Sequence, residues 1–239
     1  MVDNGMQRFG FVLSNSRDPG RIDEFERWYT DIHIPDMLET EGYVRGTRYR
    51  LAAGLRDASP EILVLYELDS PDDYRTLNQK MMENMARKQA AGRTSDLMES
   101  VTAGFFEQVS ETPVWSARGA GSSGVLARPP QALLLELAAC TDAARIDEVD
   151  AWYASAHDPA LLRAPAVLNV TRYRWPRPRD GRVQIMSLCG LDDARQQDLE
   201  GAMHEVLASA DAGGARPDCL EPVIRGVYSL RDDLTSGGA

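Results

Sequence analysis

Arg21-Ile22-Asp23-Glu24, followed by Trp28-Tyr29, His33, Pro35, Leu38 and Thr47-Arg48-Tyr49-Arg50, returns 124 residues later. The second copy reads Arg145-Ile146-Asp147-Glu148, Trp152-Tyr153, His157, Pro159, Leu162 and Thr171-Arg172-Tyr173-Arg174. Thirteen of these thirty ungapped positions are identical, with rare Trp and His among them, so chance explains the match poorly and a duplicated module of about 110 residues explains it well.

Outward from the repeat, each copy reads as strand, helix, strand, strand, helix, strand. Phe9, Phe11 and Leu13 alternate with Gly10 and Val12, and Leu133, Leu135 and Leu137 match them in the second copy, which predicts first strands with one strongly apolar face. Asp18 and Asp142 are candidate N-caps for first helices, along which Ile22, Phe25, Tyr29 and Ile32, or Ile146, Val149, Tyr153 and Ala156, recur at helical spacing. Pro35 and Pro159 are expected to end those helices. Second strands are predicted from about Gly42 to Ala52 and Ala166 to Trp175, third strands from Ile62 to Leu68 and Val183 to Leu191, and last strands near Thr102 to Val109 and Val223 to Leu230. Second helices follow Ser70-Pro71-Asp72-Asp73 and Leu191-Asp192-Asp193, the first of them reaching towards Ser100. Residues 113–130, rich in Gly, Ser, Ala and Pro, have a linker's composition and separate a module of residues 1–112 from one of residues 131–239.

The order βαββαβ is that of the ferredoxin-like unit, with both helices on one face of an antiparallel sheet. The fold class expected is therefore α+β, with two tandem ferredoxin-like modules packing their open sheet faces together as an intrachain α+β barrel around a cavity. Trp28-Tyr29, His33 and Pro35, followed by Gly42-Tyr43-Val44 and Thr47-Arg48-Tyr49-Arg50, resemble the EthD-like family of the dimeric α+β barrel superfamily. The first copy is the closer match; in the second, Ala164-Pro165-Ala166 departs from the family's loop. The resemblance implies a tandem form of a barrel that the family builds from two chains. Relatives include muconolactone isomerases, polyketide cyclases, decarboxylases, cofactor-free monooxygenases and proteins without assigned activity, so fold alone does not choose the chemistry.

Composition narrows the classes. With 26 basic and 37 acidic side chains the net charge is −11, and Lys80 and Lys88 are the only lysines, so a phosphate-binding face and a nucleic-acid partner are not expected. No apolar run is long enough for a membrane span, and the amino-terminal residues lack the pattern of a signal peptide. Three cysteines, Cys140, Cys189 and Cys219, without a Cys-x-x-Cys pair, suggest free thiols and a cytoplasmic setting. The partners expected are a small-molecule ligand and, as an option, a second copy in a homodimer.

Candidate chemistry begins with His33 and His157, which occupy equivalent helix ends and titrate near neutrality, as an isomerase, cyclase or decarboxylase requires. The alternative is a helix-end imidazole that caps a free carbonyl. Tyr29 and Tyr153, one turn earlier, and Tyr49, Arg50 and Tyr173 on the second strands are candidate substrate contacts, with Tyr29 and Trp28 also readable as helix core. Period 2 sets each strand Tyr opposite its Arg neighbours; the plainer reading packs Tyr under the helices and pairs Arg with acidic residues. Glu67 is a candidate base, since a carboxylate in an enclosed site can have a raised pKa; Glu67 and Glu136 otherwise face solvent at a sheet edge. Glu67 belongs to the first copy alone, where the repeat puts Gly190, so that copy is expected to be the more functional half. The proposed chemistry is acid/base catalysis on an aromatic, lactone or polyketide-like molecule without a cofactor; a non-catalytic binding protein or a structural module of the same fold is the alternative. Haem-dependent relatives exist in the wider superfamily, yet the two helix-end histidines are the only axial ligands the sequence offers.

Other signals are discounted. Gly119-Ala120-Gly121-Ser122-Ser123-Gly124 matches a phosphate-loop pattern but lies in the linker without its strand and helix. Asn169-Val170-Thr171 is a sequon in a predicted strand, His204 reads as a helix-surface residue, and Met81, Met82 and Met85 form a stripe that fills core or suits an apolar ligand. No metal-binding spacing is present.

Overall fold

In the computed structural model, residues 7–52, 60–110, 128–178, 180–192, 198, 201, 204–206, 208 and 214–236 are described. Most of the expected linker and most of the second copy's second helix lie outside the described residues. The elements are β1 Arg8–Ser16, α1 Ile22–Trp28, α2 Ile34–Leu38, β2 Tyr43–Leu51, β3 Ile62–Leu68, α3 Tyr74–Ala90 and β4 Met98–Gln108, then β5 Ala132–Cys140, α4 Ile146–Trp152, α5 Asp158–Leu161, β6 Val167–Arg174, β7 Val183–Leu191 and β8 Leu220–Thr235. Secondary structure is thus mixed α+β with antiparallel pairing, the class expected.

Contacts divide the chain into two compact units. The first comprises Gln7–Arg50, Pro60–Phe105 and the chain end from Arg231; the second contains Phe106–Leu230 with Leu51 and Ala52. The ends of β4 and β8 therefore each group with the half of the sequence that did not begin them. Within the first unit, β3 pairs on both sides, with β1 and β2. In the second, β5 lies between β7 and β8, β6 pairs with β7, and Glu107 and Gln108 of β4 pair with β6.

Cross-strand registers define what each unit offers its helices. Directly opposed residues share a face, so the helix face of the first sheet carries the rows Gly10–Tyr66–Gly46, Val12–Val64–Arg48 and Ser14–Ile62–Arg50. The corresponding rows of the second sheet are Leu134–Cys189–Val170, Glu136–Ser187–Arg172 and Ala138–Ile185–Arg174. Tyr66, Val64 and Ile62 pack with Phe25, Tyr29 and Ile34 of the helical segment, and Ala138 and Ile185 with Val149 and Tyr153, which confirms the face.

Three local expectations are corrected. Asp18 and Asp142 cap short 3₁₀ turns, Pro19–Arg21 and Ala143–Arg145, that lead into α1 and α4. Pro35 and Pro159 do not end the helices. Each sits in the first turn of α2 or α5, after a π-helical turn at Tyr29–His33 or Tyr153–His157. The wider π turn moves the preceding carbonyls off the α register, where a proline ring would otherwise collide with them and leave a bond unmade. The first copy's second helix is also shorter than expected, since α3 ends at Ala90 and β4 has begun by Met98.

Gly46 shows how closely the first helical segment approaches its sheet. A Cβ at this position would stand 2.6 Å from Ile34 Cγ2 and 3.3 Å from the Tyr66 ring. Gly46→Ala should destabilise the fold by about 1–3 kcal/mol in a denaturant titration, whereas Gly92→Ala, where no atom lies within 4 Å of the added Cβ but φ is +71°, should cost about 1 kcal/mol.

Candidate functional site

The π turn gives both units the same three-ring arrangement. In the first, the His33 ring stacks on Trp28 at 4.6 Å and meets Tyr29 edge-on at 5.2 Å. In the second, His157 lies 4.9 Å from both Trp152 and Tyr153. Both histidines are buried on the helix side of their sheet. What differs is the strand beneath.

In the second unit the central row supplies Glu136. His157 Nε2 lies 3.0 Å from Glu136 Oε2 and Nδ1 lies 3.3 Å from Asp158 Oδ1. Arg225 holds the other Glu136 oxygen at 2.6 Å, and Arg172 Nε holds Asp158 at 2.9 Å. Burial acts to lower the His157 pKa, but Asp158 and Glu136 outweigh it and raise it to about 9. Burial acts to raise that of Glu136, and His157 with Arg225 keeps it below the ordinary carboxylate value. His157 is therefore an imidazolium at neutral pH with both nitrogens engaged, so it does not fit the role of a neutral haem or metal ligand. Glu136 is no edge residue: β5 pairs on both sides, and its carboxylate is buried.

In the first unit the equivalent of Glu136 is Val12. Burial lowers the His33 pKa to about 4, only partly opposed by Asp36, and no hydrogen-bond partner for either ring nitrogen is found among the described residues. Asp36 itself is taken up by Arg93 at 2.7 Å and Lys88 at 3.1 Å. Two phenols share the layer. Tyr29 makes a 2.9 Å hydrogen bond with Ser14 and is pushed up to about 12 by burial. Tyr66, 1% exposed, has a hydroxyl without a partner among the described residues, and burial holds it far above the ordinary tyrosine value.

The remaining candidates separate by face. Arg50 pairs with Glu26 at 3.1 Å, Arg48 with Asp232 and Glu26, and Arg172 and Arg174 with Asp150, so the second-strand arginines serve the helix side as ion-pair partners. Alternation then puts Tyr49 and Tyr173 on the opposite face of their own sheets, not under the helices. Glu67 is half-buried and lies on that opposite face as well, one residue from Tyr66; it is neither at an edge, since β3 pairs on both sides, nor beside His33. Sequence reading passed over Tyr66. The signal for it was a pair of glycines inside strands, Gly10 and Gly46, which stand in register with it on both neighbouring strands.

All three cysteines are buried free thiols. Among the described residues, no cluster of three or more His, Cys, Asp or Glu side chains could hold a metal ion, and no helix is long and apolar enough to cross a membrane.

No family model and no curated protein sequence matches the chain. Solved structures do, at the level of fold. A candidate chlorite dismutase aligns with a TM-score of 0.56 and 12% identity over 95% of both chains. An anthrone oxidase-like protein aligns at 0.54 and 13%, over 99% of this chain and 95% of its own, and a dye-decolorizing peroxidase from Bacteroides thetaiotaomicron at 0.53 and 8%, over 93% and 92%. At 8–13% identity these similarities show the fold alone, a mixed α+β architecture built on antiparallel sheet.

The two histidines should give stability opposite pH slopes. His33, lowered on folding, contributes stability that is present above its unfolded value of about 6.5 and lost as pH falls towards 4. His157, raised on folding, contributes stability that is present below about 6.5 and lost as pH rises to 9. Melting curves should show a maximum near pH 6.5; His33→Gln should flatten the acid limb and His157→Gln the alkaline limb, and identical limbs in all three proteins would contradict the assignment.

Proposed function

We propose that the first unit binds a small aromatic, lactone or polyketide-like molecule between its helices and sheet, and that His33 transfers a proton there without a cofactor, in an isomerase, cyclase or decarboxylase type of reaction. The observation that carries this reading is a buried, neutral imidazole whose nitrogens meet no partner among the described residues, in a layer lined by aromatic and methionine side chains. An imidazole that only capped a carbonyl would have that bond; His33 has none among the described residues.

The chemistry follows from the surroundings. At neutral pH His33 is in its base form, so it can accept a proton from a carbon acid or phenol. The imidazolium that results is disfavoured by burial, and is relieved only by the negative charge left on the substrate oxygen nearby. The proton consequently returns to substrate readily, which suits a transfer from one atom of it to another. Tyr66 stays protonated and can donate to the developing oxyanion, the kind of fixed donor that stabilises such charge. His157, the other proposed catalytic position, is clamped by two carboxylates, and we assign it to holding α5 against β5.

In the same sense we propose that the chain is a tandem EthD-like protein with modules at 1–112 and 131–239, that it works in the cytoplasm, and that it can form a homodimer. A non-catalytic carrier is the second reading, supported by the mostly apolar lining of the layer.

Once a turned-over substrate is found among phenols, lactones and aromatic ketones, His33→Gln should lower its rate by about 10² to 10⁴. His157→Gln should cost much less in rate and more in melting temperature. If His33→Gln keeps normal turnover, the catalytic reading fails; if the protein binds these compounds without converting any, the carrier reading takes its place.

A further inference from the structure

The rows beneath the helices set the chemical character of the ligand, and this step rests on the proposed site in the first unit. Gly10 and Gly46 leave the two strands beside Tyr66 without side chains: the Tyr66 ring lies over Gly46, 3.3 Å from an added Cβ there, while an added Cβ at Gly10 would stand 3.5 Å from Tyr66 Cβ and 3.6 Å from the Tyr43 ring. In the second unit the same row is Leu134–Cys189–Val170, which fills the space with aliphatic groups and offers no such phenol. The Tyr66 ring and Ile34, the residue after His33, both pack over Gly46, so the phenol ring lies beside the helical segment that carries His33. Around them stand Phe25, Tyr29, Tyr43 and Phe105, with the adaptable side chains of Met81 and Met85 from α3.

The charges of this layer are already matched. Arg48 is held by Asp232 and Glu26, and Asp36 by Arg93 and Lys88. An anionic ligand would bury its charge with no cation assigned to it, a large cost in an apolar layer. A neutral ligand carrying one oxygen meets a different situation. It can satisfy the buried hydroxyl of Tyr66, which as it stands has no partner among the described residues, and it can exchange a hydrogen bond or proton with His33.

We infer that the first unit selects an uncharged aromatic ketone or phenol, its oxygen accepting a hydrogen bond from Tyr66 beside His33, and that it rejects carboxylates of the same shape. Tyr66 is a substrate-binding residue in this arrangement, and the second unit has no equivalent site.

The test uses the full chain and calorimetric titration at neutral pH with anthrone as a neutral fused-ring ketone, 2-naphthol as a neutral phenol, and anthracene carboxylate as the anionic counterpart. A neutral probe should bind at least about tenfold more tightly than the carboxylate, in line with the cost of burying an unpaired charge. Tyr66→Phe should weaken the neutral probe by about three- to tenfold, the worth of one hydrogen bond, while its unliganded melting temperature stays level or rises because a buried hydroxyl without a partner has been removed. His157→Gln should bind as the parent does. Equal or tighter binding of the carboxylate, no binding by either neutral probe, or unchanged affinity in Tyr66→Phe would overturn the inference. The proposed catalytic role of His33 fails separately: normal turnover in His33→Gln, with probe binding still dependent on Tyr66, would remove that role and leave the ligand class standing.

Discussion

A buried imidazole carries charge only where the structure around it supplies a counter-charge, and in this protein two pairs of repeat-equivalent positions make that decision: Ile34 and Asp158, next to the histidine in sequence, and Val12 and Glu136 on the strand beneath it. Position 12 is Val and its repeat-equivalent 136 is Glu. Under an otherwise shared Trp–Tyr–His arrangement, the valine leaves His33 neutral and the glutamate, with Asp158, makes His157 an imidazolium. Desolvation is severe in both places, so the difference is supplied by nearby charge and hydrogen bonding, not by exposure.

The rest of the two sites follows from that split. With Glu136 in place, the second unit builds a chain of alternating charge from Arg225 through Glu136, His157 and Asp158 to Arg172, in which every group answers another. Such a network gives specificity of packing and leaves no nitrogen of His157 for chemistry. Without it, the first unit places phenols in the layer: Tyr29 satisfied by Ser14, and Tyr66, in register with Gly10 and Gly46, with a hydroxyl that meets no partner among the described residues. One unit is thus a charged clamp, while the other has a neutral, mostly apolar lining.

The π turn is the second constraint. It lets the helix pass through Pro35 and Pro159 instead of stopping there, and it sets Tyr and His of each unit on the sheet-facing side one turn apart. An uninterrupted α-helix would have met the proline at full register and lost a hydrogen bond. The Arg-x-Arg pair on each second strand completes the geometry by reaching up to acidic residues of the first helical segment, which fixes which face of the strand the intervening Tyr must take.

From sequence alone, the ungapped repeat, the strand alternation and the helical spacing determined the α+β class, the order of elements and the pairing of His33 with His157 as equivalents, because these are local periodicities written in neighbouring residues. The period-2 rule also separated Tyr49 and Tyr173 from their arginines. Tertiary structure alone decided the rest. Which face the helices cover determined that Glu67 is parted from His33, and strand order determined that Glu136 is central and buried instead of solvated at an edge. Cross-strand register brought Gly10, Tyr66 and Gly46 into one row from positions far apart in the chain. Protonation was the last property to be set, since the charge of a histidine depends on what lies within a few ångströms of its ring: at His157 that is Asp158, the next residue in the chain, together with Glu136 brought from β5 by the fold.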